Sequence, residues 1–443
     1  VGDGNGWKLA KPIRTLTRTA GPDNWTGPAI TSARYDNAGR VIETRGLGAT
    51  GDDARTTLTR YYTTGTNSDP DCGNKPEFEA LLCKTLPAGQ PSSKPIPVTW
   101  IKSYNDLDQP LVKTETSGAT VRTTTTTYDE LGRVRTTNMT VTGGEAADDN
   151  TLASTITYGP QGTPTSVSSG GDTMTTNYDA WGRVVSNTDA NGTQSTTTYT
   201  PRGSVASVND GTGPGSTYGY SYDNHGSLTK VEPGGGIGSF TYTYDTYGNP
   251  TQIGLPNGGK TTRTFDQAGN LLTTTHTAQD NTAITAYSVT RDINGRILKH
   301  TGPAATENYD YDKLGRLTKA TGNWGWFGCH TRTYSFDTAS NRTNRTYYEP
   351  GTNGACQTTT PKTVSPHTYD TVGRPTDAGY TYDNLGRTRT LPAIDTNANQ
   401  GAAPSPLSLT YAADDMVKSM TQAANTGWWG ATEKWTTNYT LDP

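Results

Sequence analysis

Residues 122–135 read RTTTTTYDELGRVR, and nearly the same words return as DTMTTNYDAWGRVV at 172–185 and TDAGYTYDNLGRTR at 376–389. In the first of these, Asp129 stands at the head of a four-residue turn. Its carboxylate is placed there to accept a backbone N–H two residues on, and Gly132 falls where a left-handed residue is needed. A type I turn closed by a glycine bulge is the common three-residue hairpin connection. The flanks are β-branched or alternating, as strands require. The same reading assigns turn roles to Asp179 and Gly182, Asp312 and Gly315, and Asp383 and Gly386.

The unit recurs along the chain. Clear copies begin at Tyr35, Tyr128, Tyr178, Tyr222, Tyr244, Phe265, Tyr311, Tyr369 and Tyr382, and weaker ones at Tyr104, Tyr158, Tyr199, Arg291, Phe336 and Tyr411. From Tyr158 to Tyr311 successive copies lie 20, 21, 23, 22, 21, 26 and 20 residues apart. Two strands of about seven residues and two turns consume about 21 residues, so each unit is one hairpin. The spacing predicts an all-β chain: a long antiparallel strip of 15 or 16 hairpins that twist forbids from lying flat, spiralling into a hollow shell or tube. Arg133, Arg183, Arg316, Arg374 and Arg387 follow the turn glycine and are expected to pair with the turn Asp of a neighbouring hairpin.

Composition agrees with a strip rather than a set of packed cores. Leu, Ile, Val and Phe together supply 57 of 443 residues, too few for several globular interiors. The formal charge of −4, with 25 Tyr and 9 Trp, argues equally against disorder. Thr, at 86 residues, suits strands whose faces stay wet. Basic residues are scattered singly, which gives no footprint for nucleic acid. No apolar run approaches the roughly 20 residues of a membrane-spanning helix, so no membrane insertion is expected. The chain starts at Val1 and stops in YTLDP, partway through a unit, and reads as a piece of something longer. Residues 1–30 read as a lead-in and 31–443 as the strip.

Cys72, Cys83, Cys329 and Cys356 form two close pairs, 11 and 27 residues apart, without the spacing of a zinc site. Two local disulfides, Cys72–Cys83 and Cys329–Cys356, are favoured over free thiols, and they place the protein in a secreted or cell-surface setting.

The motifs YDELGRV, YDAWGRVVS, YDKLGRL and YDNLGRT resemble the YD repeats of the bacterial RHS-repeat family, which is related to the toxin-complex B and C components and to teneurins. The resemblance covers roughly residues 31–443. It implies a continuous β-strip wound into a hollow shell that encloses or presents a toxin or other cargo domain carried C-terminal to the repeats. The implied role is structural and non-enzymatic, extracellular, with the chain's own cargo domain or neighbouring copies of itself as partners. Asp442–Pro443 resembles the self-cleavage region that the family carries beyond its repeats, and fits an ordinary degenerate repeat equally well.

No catalytic constellation emerges. The five His are isolated, there is no nucleophile elbow, phosphate loop or dinucleotide fingerprint, and no cofactor is implied. NSDPDCGN at 67–74 lacks the closing Glu of a calcium loop. Trp324, Trp326, Trp428 and Trp429 sit in Gly-rich segments off the repeat pattern. Rings so placed either stack on sugars, making the chain an adhesion or carbohydrate-binding module with a cell-surface glycan as partner, or seal one layer of the shell against the next.

Overall fold

The computed structural model describes residues 14–16, 29–91, 94–144, 151–323, 325–396, 405–425 and 432–439. Nearly everything in it is β. A sheet of 28 strands runs from Arg14–Leu16 to Thr363–Pro366, and a second of five runs from Thr381–Tyr382 to Thr432–Asn438. Within each sheet every strand pairs antiparallel with the one before and after it in the chain. Arg14–Leu16 already pairs with residues 29–32, so the lead-in contributes a strand. A hairpin held by the Tyr369–Pro375 bridge joins the two sheets.

A meander with two strands per unit puts every YD turn on one edge of the strip and every return connection on the other. The turn chemistry sets this order. Asp129 N–H donates to Arg133 O and Gly132 N–H to Asp129 O, both at 2.9 Å. Register slips by one residue between Thr127, which faces Thr136, and Tyr128, which faces Val134. That slip is the bulge, and it needs a residue of positive φ: Gly132 has 74°, Gly182 77°, Gly315 81° and Gly386 85°. Where glycine is missing, Asp108, Ser340 and Asp415 take the same conformation.

Side chains alternate between the two faces of the strip. One face carries the YD tyrosines. The other carries rows of hydroxyls that meet across strands, Thr127 with Thr136, Thr198 with Ser207, and Thr264 with Thr273, each at 2.6 Å. Neither face is covered by a second layer along most of the chain. The accessible surface is 25878 Å², against about 16,000 Å² for a compact protein of this mass. The one fully buried apolar cluster among the described residues is local: Tyr62 with Cys72 and Cys83, packed by Phe78, Leu81, Trp100 and Tyr104.

Candidate functional site: the repeat relay, the seam and the open rim

Each repeat residue has a definite task. Asp129 Oδ1 accepts from the Leu131 and Arg133 N–H groups at 3.0 and 2.9 Å, while Oδ2 accepts from Arg133 Nε at 2.7 Å. The Arg133 guanidinium, then the backbone donors, hold the Asp129 carboxyl below the usual carboxylate range. The arginine's partner is therefore the Asp of its own turn, four residues back, and not the Asp of a neighbouring hairpin. The same pairing recurs at Arg183–Asp179, Arg316–Asp312, Arg374–Asp370 and Arg387–Asp383. What the arginine reaches in the next unit is a ring. Arg133 lies 4.3 Å from the Tyr158 centroid, Arg183 4.2 Å from Tyr199, Arg374 4.9 Å from Tyr382 and Arg387 4.8 Å from Tyr411.

The tyrosine completes the relay. Tyr158 OH donates to Val134 O at 2.8 Å, Tyr199 to Val184 O at 2.7 Å, and Tyr311 to Ile297 O at 2.8 Å. In each case the acceptor is the residue after the Arg, two residues past the last pair of its strand with the following hairpin (Thr136 with Thr155, Ser186 with Thr196, Lys299 with Asn308), so the hydroxyl extends the ladder where backbone pairing has ended. Tyr and Arg thus couple each hairpin to the next, which is the nearest-neighbour term a repeat protein needs.

The strip also meets itself. Asn384 Nδ2 donates to Thr120 Oγ1 at 2.9 Å and Lys94 Nζ to Asn384 Oδ1 at 3.1 Å. Arg374 Nη2 reaches Lys94 O. Arg122 Nη1 donates to Ala413 O at 3.1 Å and Asp415 Oδ1 at 2.6 Å. A Cβ placed on Gly48 would come within 3.0 Å of Ala339 Cβ. All these contacts join YD turns between residues 337 and 415 to return connections between residues 46 and 122. The chain comes round to its own opposite edge after about 290 residues, and the contact is a seam between the turns of a spiral.

Burial separates this seam from the rest of the turn edge. The Asp370 and Asp383 side chains keep 4% and 5% of their exposure, against 22% for Asp129 and 18% for Asp179. Ala413 is buried in the seam, whereas Leu131 and Trp181, near the tips of free turns, are 75% and 80% exposed. Arg122 is the most heavily used cation of the seam. It grips Glu115 through Nε and Nη2 at 2.8 and 3.0 Å as well as Asp415. Burial opposes charge on both, yet the hydrogen bonds and attraction outweigh it: Glu115 is held below, and Arg122 above, its ordinary pKa.

The remaining sequence candidates fall as follows. Cys72 is joined to Cys83 and Cys329 to Cys356. The first bond ties the segment 67–74 to the strand Leu82–Pro87, whose Lys84 Nζ takes up Asp69 and Asp71 at 2.9 and 2.5 Å, so a lysine occupies the place of a cation. Among the described residues no cluster of three or more His, Cys, Asp or Glu is arranged to hold a metal. Trp324, Trp428 and Trp429, the side chain of Trp326, and Asp442–Pro443 lie outside the described residues. A feature that sequence reading missed is a row on the tyrosine face: His276 meets Tyr287 edge to face and Tyr287 stacks on His300, with centroids 6.4 and 5.8 Å apart.

Comparison with known proteins converges on the same architecture. Residues 163–281 match the family described as Teneurin YD-shell. Similar solved structures include TcdB2-TccC3-TEV, with a TM-score of 0.57 and 14% identity over 94% of this chain and 24% of that one. TcdB2-TccC3 gives 0.55 at 14% identity over 94% and 25%. The Photorhabdus luminescens Tc holotoxin pore gives 0.54 at 14% identity over 94% and 24%. This chain thus spans about a quarter of the length of the structures it matches. No curated protein matches it in sequence. With a YD motif recurring along its length, a YD-shell match at its centre and the same fold over nearly all of it, the chain is an RHS/YD-repeat protein.

Proposed function

We propose that the chain is a non-enzymatic wall segment of an extracellular shell, and that the shell surrounds a polar lumen holding an attached polypeptide cargo. The observation that carries this is the uncovered double-faced strip, whose accessible surface is well above that of a compact protein. Rows of hydroxyls already hydrogen-bonded to one another offer an unfolded chain few sticky apolar or charged sites. Such a wall confines without binding. The two disulfides suit an oxidising compartment outside the cytosol.

Small-angle scattering tests the wall. A radius of gyration above about 22 Å, the compact value for this length, with a hollow or open envelope, is expected, and a compact solid particle overturns it. The cargo part has its own test. An unfolded reporter fused after Pro443 should be cleaved by trypsin more slowly than the same reporter free, and equal rates overturn encapsulation.

A further inference from the structure

Among the described residues the ladder of strands breaks once, between Thr363–Pro366 at the end of the first sheet and Thr381–Tyr382 at the start of the second. His367 stands at that break. Its backbone N–H donates to Thr343 O at 2.9 Å, which ties it to the first sheet. Its imidazole reaches the other way. Nδ1 lies 2.6 Å from Asp377 Oδ2, in the segment that leads into the second sheet, and Nε2 lies 3.6 Å from Asp395 Oδ1, just past the strand Thr388–Leu391 of that sheet. The His367 side chain keeps 6% of its exposure, so water competes little for either contact.

Both carboxylates are held in place by other groups. Thr368 donates to Asp377 Oδ1 through its N–H and its hydroxyl, each at 3.1 Å, and Tyr380 OH donates to Asp395 Oδ2 at 2.9 Å. Burial opposes charge on Asp377, but hydrogen bonds from His367 and Thr368 outweigh it and hold its carboxyl below the usual carboxylate range. The Tyr369 ring lies beside the imidazole, with centroids 6.4 Å apart. The other charged groups near the cluster are Arg342 and Asp337, beside Tyr369, and the Arg374–Asp370 pair, beside Tyr382.

A neutral imidazole has one N–H and one lone pair, so it satisfies one of these carboxylates and turns the lone pair toward the other. Only the imidazolium donates to both. We propose that His367 is a pH-sensitive latch between the two sheets: protonated, it clasps Asp377 and Asp395 together, and deprotonated, it releases Asp395 and frees the second sheet to swing at the break. The clasp is present while the ring is charged and is lost as pH rises and the second proton leaves. The swing draws Asn384 away from Thr120 and Asp415 away from Arg122, so releasing the latch also loosens the seam. None of this depends on what the wall surrounds.

Distances between spin labels test the latch. Val364→Cys and Ser408→Cys put one label on each sheet at exposed positions. A single narrow distance is expected at about pH 5. A longer population should grow toward about pH 8, by no more than about tenfold per pH unit, the limit for loss of one proton. His367→Gln cannot change charge and should make the distribution independent of pH. Asp395→Asn supplies an amide that donates to the neutral ring, and should keep the latch closed across the whole range. Where His367→Gln fails to give the native far-ultraviolet spectrum, Asp395→Asn carries the comparison. Distances that do not respond to pH in the otherwise unaltered chain, or an unchanged pH response in either variant, overturn the inference.

Discussion

The turn at Asp129–Arg133 and the turn at Asp383–Arg387 are built from the same words and the same hydrogen bonds, yet they live in different surroundings. Both Asp residues accept two backbone N–H groups and an Arg Nε. At the first, the turn faces solvent and serves only to reverse the chain and lock one hairpin to the next. At the second, Asn384 bridges Lys94 and Thr120, so the turn also holds two layers of the spiral together. The lesson is that local turn chemistry makes the strip, while burial of a few identical turns makes the spiral.

The largest effect should come from the seam cation. Arg122→Ala leaves the half-buried Glu115 with Lys113 alone, 3.2 Å away, and removes the seam contacts to Ala413 and Asp415, and should lower stability by about 3 kcal/mol, read as the shift in urea midpoint. Arg133→Ala on the open edge removes a partly exposed pair and a ring contact, and should cost about 1 kcal/mol. Equal losses at the two sites would erase the distinction between edge and seam. Next, Asp383→Ala should cost about 2 kcal/mol, because a buried charge-assisted network is lost. The same change at the solvent-facing Asp129 should cost less.

Acid should act on the open turns as a group. Asp129, Asp179, Asp292 and Asp312 all titrate below the ordinary carboxylate value in the folded chain. At Asp129 the Arg133 guanidinium is the main cause. At the other three partial burial works against the charge but is outweighed by hydrogen bonds from the turn. A depressed folded pKa contributes stability that is present above the unfolded value of about 3.9 and is lost as pH falls through the folded value. The urea midpoint should therefore be flat from neutral pH to about 5 and decline below about 4. A midpoint that rises on acidification would contradict the turn network.

The smallest effect sharpens the comparison from the other side. Gly132→Ala and Gly386→Ala both place a side chain at positive φ, and each should cost about 1 kcal/mol. The strain is local, so open edge and seam should respond alike. Unequal midpoint shifts would mean that the seam alters the turn backbone itself.

The Asp and Gly roles were legible in the sequence because both act within five residues of each other. The Arg was misplaced for a physical reason: spacing shows that it recurs beside an Asp but not that the Asp of its own turn is already within reach, leaving the guanidinium plane free for the next Tyr. The tyrosine hydroxyl's acceptor was invisible, since it depends on where backbone pairing with the next hairpin stops. The seam left no trace at all. Its partners are about 290 residues apart, and residues such as Asn384 and Thr120 look like any other polar positions in a Thr-rich chain.

The central claim, that the strip returns to its own opposite edge, is tested most directly by joining that edge covalently. Thr120→Cys with Asn384→Cys places thiols where a hydrogen bond of 2.9 Å now runs. Mild oxidation followed by peptide mapping should recover a 120–384 cross-link within monomers, while Leu131→Cys paired with Asn384→Cys should give none. Efficient 131–384 linkage, or no 120–384 linkage in a chain whose β spectrum is intact, would show that the spiral does not close where these contacts put it.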